Sequence, residues 1–416
     1  MKNKQEGSQA SRGRSQHESS QPSSPRKRRN MKLLGMCGLL CVAVLGFWHF
    51  SFPQEYPAPY QFTKIADTRS GVYRGFHLAP SIDAQGMVLF RANLVGGGQG
   101  IFKANGSITT QIAKTSEDFE AFRGSPAVSD NGHIVFFGTR PGGEFGYSRG
   151  TDITGEFLYS NKEFATLGDL VINNKGTLAF KGKWAKGRRQ RRQVFLGNGG
   201  KSVAIPDSKS NQVGMLSLNN HGQVAFSTGD KVFVSDGQTT TLLTDGDEQY
   251  FLFYRPVIND EGMVVVQTAS ESHDGWVAKH LVAIVDGHIH LLASTQGLFQ
   301  DLVSAHAVNN HGHVVFSAVL ASGISGLFVG PNPETDIVIK QGDQLFGTRI
   351  VEGPVLSNRG FNDAGQIVFY ARLEDGTEGI YRADPTTPPA TEILTNPGIT
   401  SNQLDSKSVG SVQKIR

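Results

Sequence analysis

The chain has 416 residues, 50 of them glycine, with only 19% charged and 38% hydrophobic. That profile suits a turn-rich all-β protein and argues against a helical enzyme. The formal net charge of +3 hides an asymmetry: residues 1–32 hold nine Lys/Arg against Glu6 and Glu18, a local +7, and the rest carries −4. The excess of base therefore lies in the tail, and composition assigns no nucleic-acid affinity to the folded part.

Residues 1–32 are mostly Ser, Gln, Arg and Lys with almost nothing to bury, and read as a disordered basic tail. "RKRRNMK" then runs into Leu33–Phe52, 20 mostly apolar residues, the length that crosses a hydrocarbon core as one helix. Phe47, Trp48, Phe50 and Phe52 cluster at its far end, where an interfacial aromatic belt would lie. The basic block on the near side predicts a cytoplasmic N-terminus with the remainder exported. The segment reads as an uncleaved signal-anchor making a single membrane pass, followed by a linker over 53–62 and an extracytoplasmic body, periplasmic or at the cell surface. A cleaved secretory signal starting at Met31 is the alternative, but no small-x-small site follows the apolar run. A lipoprotein signal is disfavoured by the large residues Met36 and Leu40 before the two cysteines. Those cysteines, Cys37 and Cys41, both lie inside the apolar segment. The body thus has no disulfide framework, thiolate metal site or cysteine nucleophile.

Beyond the linker the chain repeats itself. "SIDAQGMVLF" (81–90), "AVSDNGHIVF" (127–136), "VINNKGTLAF" (171–180), "SLNNHGQVAF" (217–226), "VINDEGMVVV" (257–266), "AVNNHGHVVF" (307–316) and "GFNDAGQIVF" (360–369) align column by column. Their shared glycines, Gly86, Gly132, Gly176, Gly222, Gly262, Gly312 and Gly365, are 46, 44, 46, 40, 50 and 53 residues apart, the period of a propeller blade. The second column is always apolar. The third and fourth are mainly Asn, Asp or Ser, which hydrogen-bond their own backbone and favour turns. The sixth is the glycine, where the hairpin needs a positive φ. The eighth and ninth are always apolar, and the tenth is Phe in six copies and Val266 in the seventh. A strand apolar on both faces is buried on both faces, as between neighbouring blades.

The remainder of each unit supplies two further strands. Third strands are expected at 100–104, 156–160, 193–197, 231–235, 280–285, 326–330 and 379–383, each followed by a short turn and segments such as "TTQIA", "SVAIP", "TTLLT", "HIHLL" and "DIVIK". Four strands in seven units predict an all-β, seven-bladed β-propeller of four-stranded blades over 63–396, preceded by one N-terminal transmembrane helix. A β-solenoid would have shorter rungs. "QFTKIAD" (61–67) and "TEILTN" (391–396) both resemble fourth strands, and one of them is expected to complete a blade from the other end of the chain. Residues 397–416 are polar and read as a disordered tail.

At these columns the chain resembles bacterial tandem-repeat proteins described by an N-x-x-G-x-V-A-F motif, with "VAF" at 224–226 and "LAF" at 178–180. That resemblance covers about Thr63 to Asn396 and implies a β-propeller carried at the cell surface by varied anchors. It transfers no catalytic residues, because the motif is structural.

Chemistry is expected on the face opposite the Asn-rich turns, where the second-to-third and fourth-to-first connections vary most. "KGKWAKGRRQRR" places Lys183, Trp184, Lys186, Arg188, Arg189, Arg191 and Arg192 in one such loop, suited to an anionic polymer or lipid head groups; the plain alternative is a solvated loop. Arg74, Arg123 and Arg255 each follow an aromatic residue ahead of an innermost strand and would grip a carboxylate or sulfate at the channel mouth. Their offsets from the repeat glycine differ, at 12, 9 and 7 residues, which argues for ordinary packing of arginine stems. His288, His290, His311 and His313 have two-ligand spacing but no third donor, and Asp245, Asp247 and Glu248 lack a calcium-loop pattern. No metal or cofactor is therefore expected. No G-x-S-x-G, H-E-x-x-H or P-loop occurs. The leading expectation is a binding module for an envelope protein or anionic surface polymer. The alternative is a polysaccharide- or glycoconjugate-active enzyme with its site at the channel mouth, which would need converging carboxylates.

Overall fold

The computed structural model describes residues 60–386, apart from 78, 117, 151–155, 187–190, 210–212, 247–250 and 272–276, together with Lys414–Ile415. The expected membrane segment Leu33–Phe52 and the segment 391–396 lie outside the described residues. Among the described residues no helix is long and apolar enough to cross a membrane.

Seven antiparallel sheets follow one another along the chain. Blade 1 has a first strand in two pieces, Tyr73–Phe76 and Ser81–Ile82, then Val88–Leu94, Gln99–Ala104 and Thr109–Lys114. Blade 2 is Ala121–Val128, Ile134–Thr139, Phe145–Arg149 and Tyr159–Ser160. Blade 3 is Phe164–Ile172, Leu178–Trp184, Gln193–Gly197 and Val203–Ala204. Blade 4 is Ser217–Leu218, Val224–Thr228, Lys231–Ser235 and Thr240–Thr244. Blade 5 is Phe251–Ile258, Val264–Glu271, Val277–Val285 and His288–Ser294. Blade 6 is Phe299–Val308, Val314–Leu320, Ser325–Phe328 and Ile337–Lys340. Blade 7 takes Thr348–Phe361, Ile367–Leu373 and Glu378–Pro385 from the end of the body and its fourth strand, Tyr60–Asp67, from the beginning.

The fold is a seven-bladed, four-stranded β-propeller, closed by the N-terminal strand. One expected strand was misplaced. The third strand of blade 2 is Phe145–Arg149, and the tyrosine of "EFLYS" belongs to the short fourth strand that pairs with it, Tyr159↔Tyr147. The misreading follows from "EFGYS" and "EFLYS" having the same alternation of apolar and small residues.

All seven repeat glycines have positive φ, between 73° and 89°. The ninth-column residues Leu89, Val135, Ala179, Ala225, Val265, Val315 and Val368 are all fully buried, as expected for a strand enclosed on both faces. The apolar core is accordingly divided into seven clusters, each formed between two successive blades. Leu89 and Ile101 of blade 1 pack with Val128 and Phe136 of blade 2, and Val368 and Ile380 of blade 7 pack with Val88 and Phe90 of blade 1.

The third repeat column links six successive hairpins, from blade 3 round to blade 1. Asn219 Oδ1 accepts the backbone N–H groups of His221 (3.1 Å) and Gln223 (2.9 Å), fixing its own turn. Its Nδ2 donates to the carbonyl of Asn259 in the next blade, at 3.1 Å. The same step runs from Asn173 to Asn219, Asn259 to Asn309, Asn309 to Asn362 and Asn362 to Asp83. At Asp83 the column holds a carboxylate, which cannot donate; its Oδ2 instead meets Lys103 Nζ at 2.8 Å. Each of these polar side chains is almost fully buried, so each bond replaces water that the group has lost.

Candidate functional site

The innermost strands are irregular, and the irregularity builds the site. Opposite two-residue steps of the second strand, the first strand advances four residues between Arg123 and Ala127 in blade 2, three between Leu167 and Leu170 in blade 3, and three between Tyr254 and Val257 in blade 5. It advances four between Leu302 and His306 in blade 6 and five between Leu356 and Phe361 in blade 7. Extra residues in a bulge leave the ladder and re-aim their side chains. Here they meet the central channel.

Gly124, Ser125, Gly168, Asp169, Asn358 and Arg359, all bulge residues, line a cavity of about 560 Å³, completed by Arg123, Arg192, Ala79, Met215 and neighbouring apolar groups. Phe145 and Arg192, at the starts of third strands, place this cavity on the face of the variable connections. Arg359 reaches across the channel from blade 7 and donates through Nη1 to the Leu170 carbonyl of blade 3 at 3.1 Å. Its Nε is buried without a hydrogen-bond partner. Burial pulls the guanidinium down to about 10, with Asp169 acting in the opposite direction, so Arg359 is a cation at neutral pH. The one carboxylate among the lining residues, Asp169, is itself bonded to Lys181 Nζ at 2.8 Å. Among the described residues, Arg123, Arg192 and Arg359 have no carboxylate in ion-pair contact. The cavity therefore carries three cations and an already neutralised anion, an arrangement that attracts carboxylate or sulfate groups.

The other expected residues are dispersed. Arg74 lines a separate cavity with Asn93 and Glu378, on the blade 1 and blade 7 edge. Arg255, which has a positive φ of 53°, lines a third cavity of about 570 Å³ with Tyr254, Lys181 and Met215. Trp184 stacks on Phe164, with centroids 4.7 Å apart, and meets Phe195 edge-on, so its ring serves packing within blade 3. Lys183 is half-buried, Lys186 and Arg191 are exposed, and Arg188 and Arg189 lie outside the described residues. Arg359 and Asp169 were not singled out from sequence. For Arg359 the signal was the three residues "SNR" (357–359) standing before the seventh repeat, and for Asp169 the one extra residue between Leu167 and Leu170, insertions visible only once register is known.

At the opposite end the channel narrows to a polar ring. Asn220 N–H and Nδ2 donate to the Asp260 carboxylate at 2.7 and 2.9 Å, and Asn310 Nδ2 bridges Asp260 and Asp363 at 3.0 Å each. Burial lifts the Asp130 carboxyl; bonds from Asn174 and Asn220 oppose that, and Asp363 and Asp260 add to it. Above the ring, Ile82, Val128, Ile172, Leu218, Ile258 and Phe361, all from the second repeat column, form an apolar wall. Among the described residues no three His, Cys, Asp or Glu side chains group as a metal site.

No protein-family model matches the chain, and no curated protein matches it. Among solved structures it is similar to an oligogalacturonate lyase from Vibrio parahaemolyticus, at 14% identity over 80% of this chain and 99% of that one, with a TM-score of 0.52. It is also similar to an oligogalacturonate lyase in complex with manganese, at 14% identity over 80% and 98%, with a TM-score of 0.51. These likenesses establish the fold alone.

Proposed function

We propose that the chain is a binding module, tethered to a membrane by residues 33–52, whose propeller lies outside the cytoplasm and captures an acidic polymer at the channel mouth. The observation that carries the reading is Arg359: an enclosed, charged guanidinium with an unfilled donor, flanked by Arg123 and Arg192 in a cavity large enough for a sugar-sized group. The tether and export rest on the apolar segment and its basic flank. The repeat family that the columns resemble, with its varied anchors, fits the same picture.

The full-length protein in detergent, titrated with galacturonate and its oligomers by calorimetry, is expected to bind in a salt-sensitive manner. Arg359→Gln is expected to weaken binding by about 10- to 100-fold, the usual loss for a charge-assisted pair. Retention of affinity in that variant would remove the basis of the reading. Glycoside chemistry needs two carboxylates, and the cavity lining supplies Asp169 alone. Intact oligomers recovered after incubation would accord with binding, and shortened ones with the enzymatic alternative.

A further inference from the structure

The cavity around Arg359 has a neighbour. Met215 lines both it and the third cavity, and the Lys181–Asp169 pair stands between them, with Asp169 on one side and Lys181 on the other. The two spaces have nearly equal volume, about 560 and 570 Å³. Both open on the variable-loop face: the second is bounded by Gly229 at the end of a second strand and by Phe253 and Tyr254 at the start of a first. Each has an arginine without a carboxylate partner among the described residues, Arg359 in one and Arg255 in the other. Each also has small hydroxyl groups, Ser125 and Thr166 in the first, Ser227 and Ser304 in the second. Arg255 holds a left-handed backbone conformation that a long side chain rarely adopts, and such strain persists where surrounding structure imposes it. Beside it, Tyr254 leaves 46% of its surface exposed, an aromatic face next to a cation.

We infer that the two cavities are consecutive subsites of one groove, and that the ligand is an acidic glycan with a negative group on successive sugars. The inference rests on the anion-binding reading of the first cavity and extends it from one unit to a chain. Arg359, with Arg123 and Arg192, holds one acidic unit. Arg255 holds the next, whose ring lies against Tyr254. Lys181 and Asp169 mark the boundary, where the bridging oxygen of the glycan passes a neutral pair. An acidic peptide would meet the same cations, but it has no use for the hydroxyl-lined walls and the exposed tyrosine face together.

The test compares the full-length protein with Tyr254→Ala and Arg255→Asn, asparagine being tolerant of the positive φ. Probes are galacturonate monomer, its dimer, trimer and tetramer, sulfated oligosaccharides of matched length, and short poly-glutamate peptides. Affinity is expected to rise by about tenfold or more from monomer to the first oligomer that spans both subsites, then to level off. Tyr254→Ala and Arg255→Asn are expected to abolish that rise, so that every length binds no better than the monomer, whereas Arg359→Gln weakens every length. Comparison of the carboxylated with the sulfated series identifies which acidic group the groove prefers. Monomer binding that depends on Arg359 with no gain from length would overturn the two-subsite inference and leave the first reading standing. Absence of binding by every acidic probe would overturn both. Tighter binding of poly-glutamate than of either glycan would overturn the glycan assignment.

Discussion

Asn219 shows what one side chain does in this run of linked hairpins. It closes its own hairpin through two backbone bonds and reaches the next blade through a third. Asn219→Ala removes all three, and the Nδ2 bond to Gln223 Oε1 (2.8 Å), from a buried site, and a loss of about 2–3 kcal/mol in urea unfolding is expected. Asn219→Asp keeps the two acceptor bonds but sets a buried carboxylate against the Asn259 carbonyl. Blade 1 already contains the remedy. Lys103 lies opposite Leu89 in the ninth column, and Val234 lies opposite the equivalent Ala225, so Val234→Lys is expected to recover much of the stability that Asn219→Asp loses. His306 gives a second test. It is 1% exposed, and burial, the largest cause, together with the Arg255 charge holds its pKa down to about 4, while the Val265 and Arg255 backbones oppose this. The unfolded chain takes up that proton first, so this contribution to stability is complete above about pH 6.5 and is lost as the pH falls towards 4. The loss amounts to roughly 3 kcal/mol. Urea titrations between pH 7 and 4.5 are expected to show a shallower acid decline in His306→Phe than in the parent, carboxylates being common to both.

The hairpins differ in what surrounds the glycine they share. A Cβ at Gly222 meets no atom within 4 Å, so Gly222→Ala carries only the conformational cost of φ 89°, about 1 kcal/mol. A Cβ at Gly86 would stand 2.6 Å from Gln366 Oε1 and 3.0 Å from Arg382 Nη1. Both groups belong to the network joining blade 7 to blade 1, and Gly86→Ala is expected to cost clearly more; paired denaturation curves decide it. These glycines, the buried columns and the number of blades were readable from sequence because a two-residue alternation and an obligatory turn leave the same mark in every copy. The site was harder to read. Arg123, Arg255 and Arg359 stand at unequal distances from their repeat glycines, and unequal offsets look like accident. The innermost strands explain the offsets: bulges of different length precede each hairpin, so side chains at different positions along the chain arrive at the channel. A periodic signal describes what every blade has in common, and a site made of departures from that period falls outside it.

At the scale of the whole molecule, the two ends of the body meet in blade 7. Thr63 Oγ1 donates to Asp384 Oδ2 at 2.7 Å, and Asp384 Oδ1 also accepts from Gln366 Nε2 and Arg382 Nε, each at 2.6 Å. Arg382 Nη1 in turn donates to the Gly86 carbonyl of blade 1. A chain beginning at Tyr60 is expected to melt as cooperatively as the full-length protein, and one beginning at Thr68 to lose the single transition, as calorimetry would record. Thr63 and Asp384 are 321 positions apart in sequence. A ribosome delivers the first of these long before the second, and the opening strand has no partner until Glu378–Pro385 has been made. Six blades can condense in order while that strand waits, its ladder groups open to any other extended segment nearby. The latch that makes the finished ring rigid is thus the last part to find its place, and a nascent chain cut short anywhere before residue 378 leaves it permanently undone.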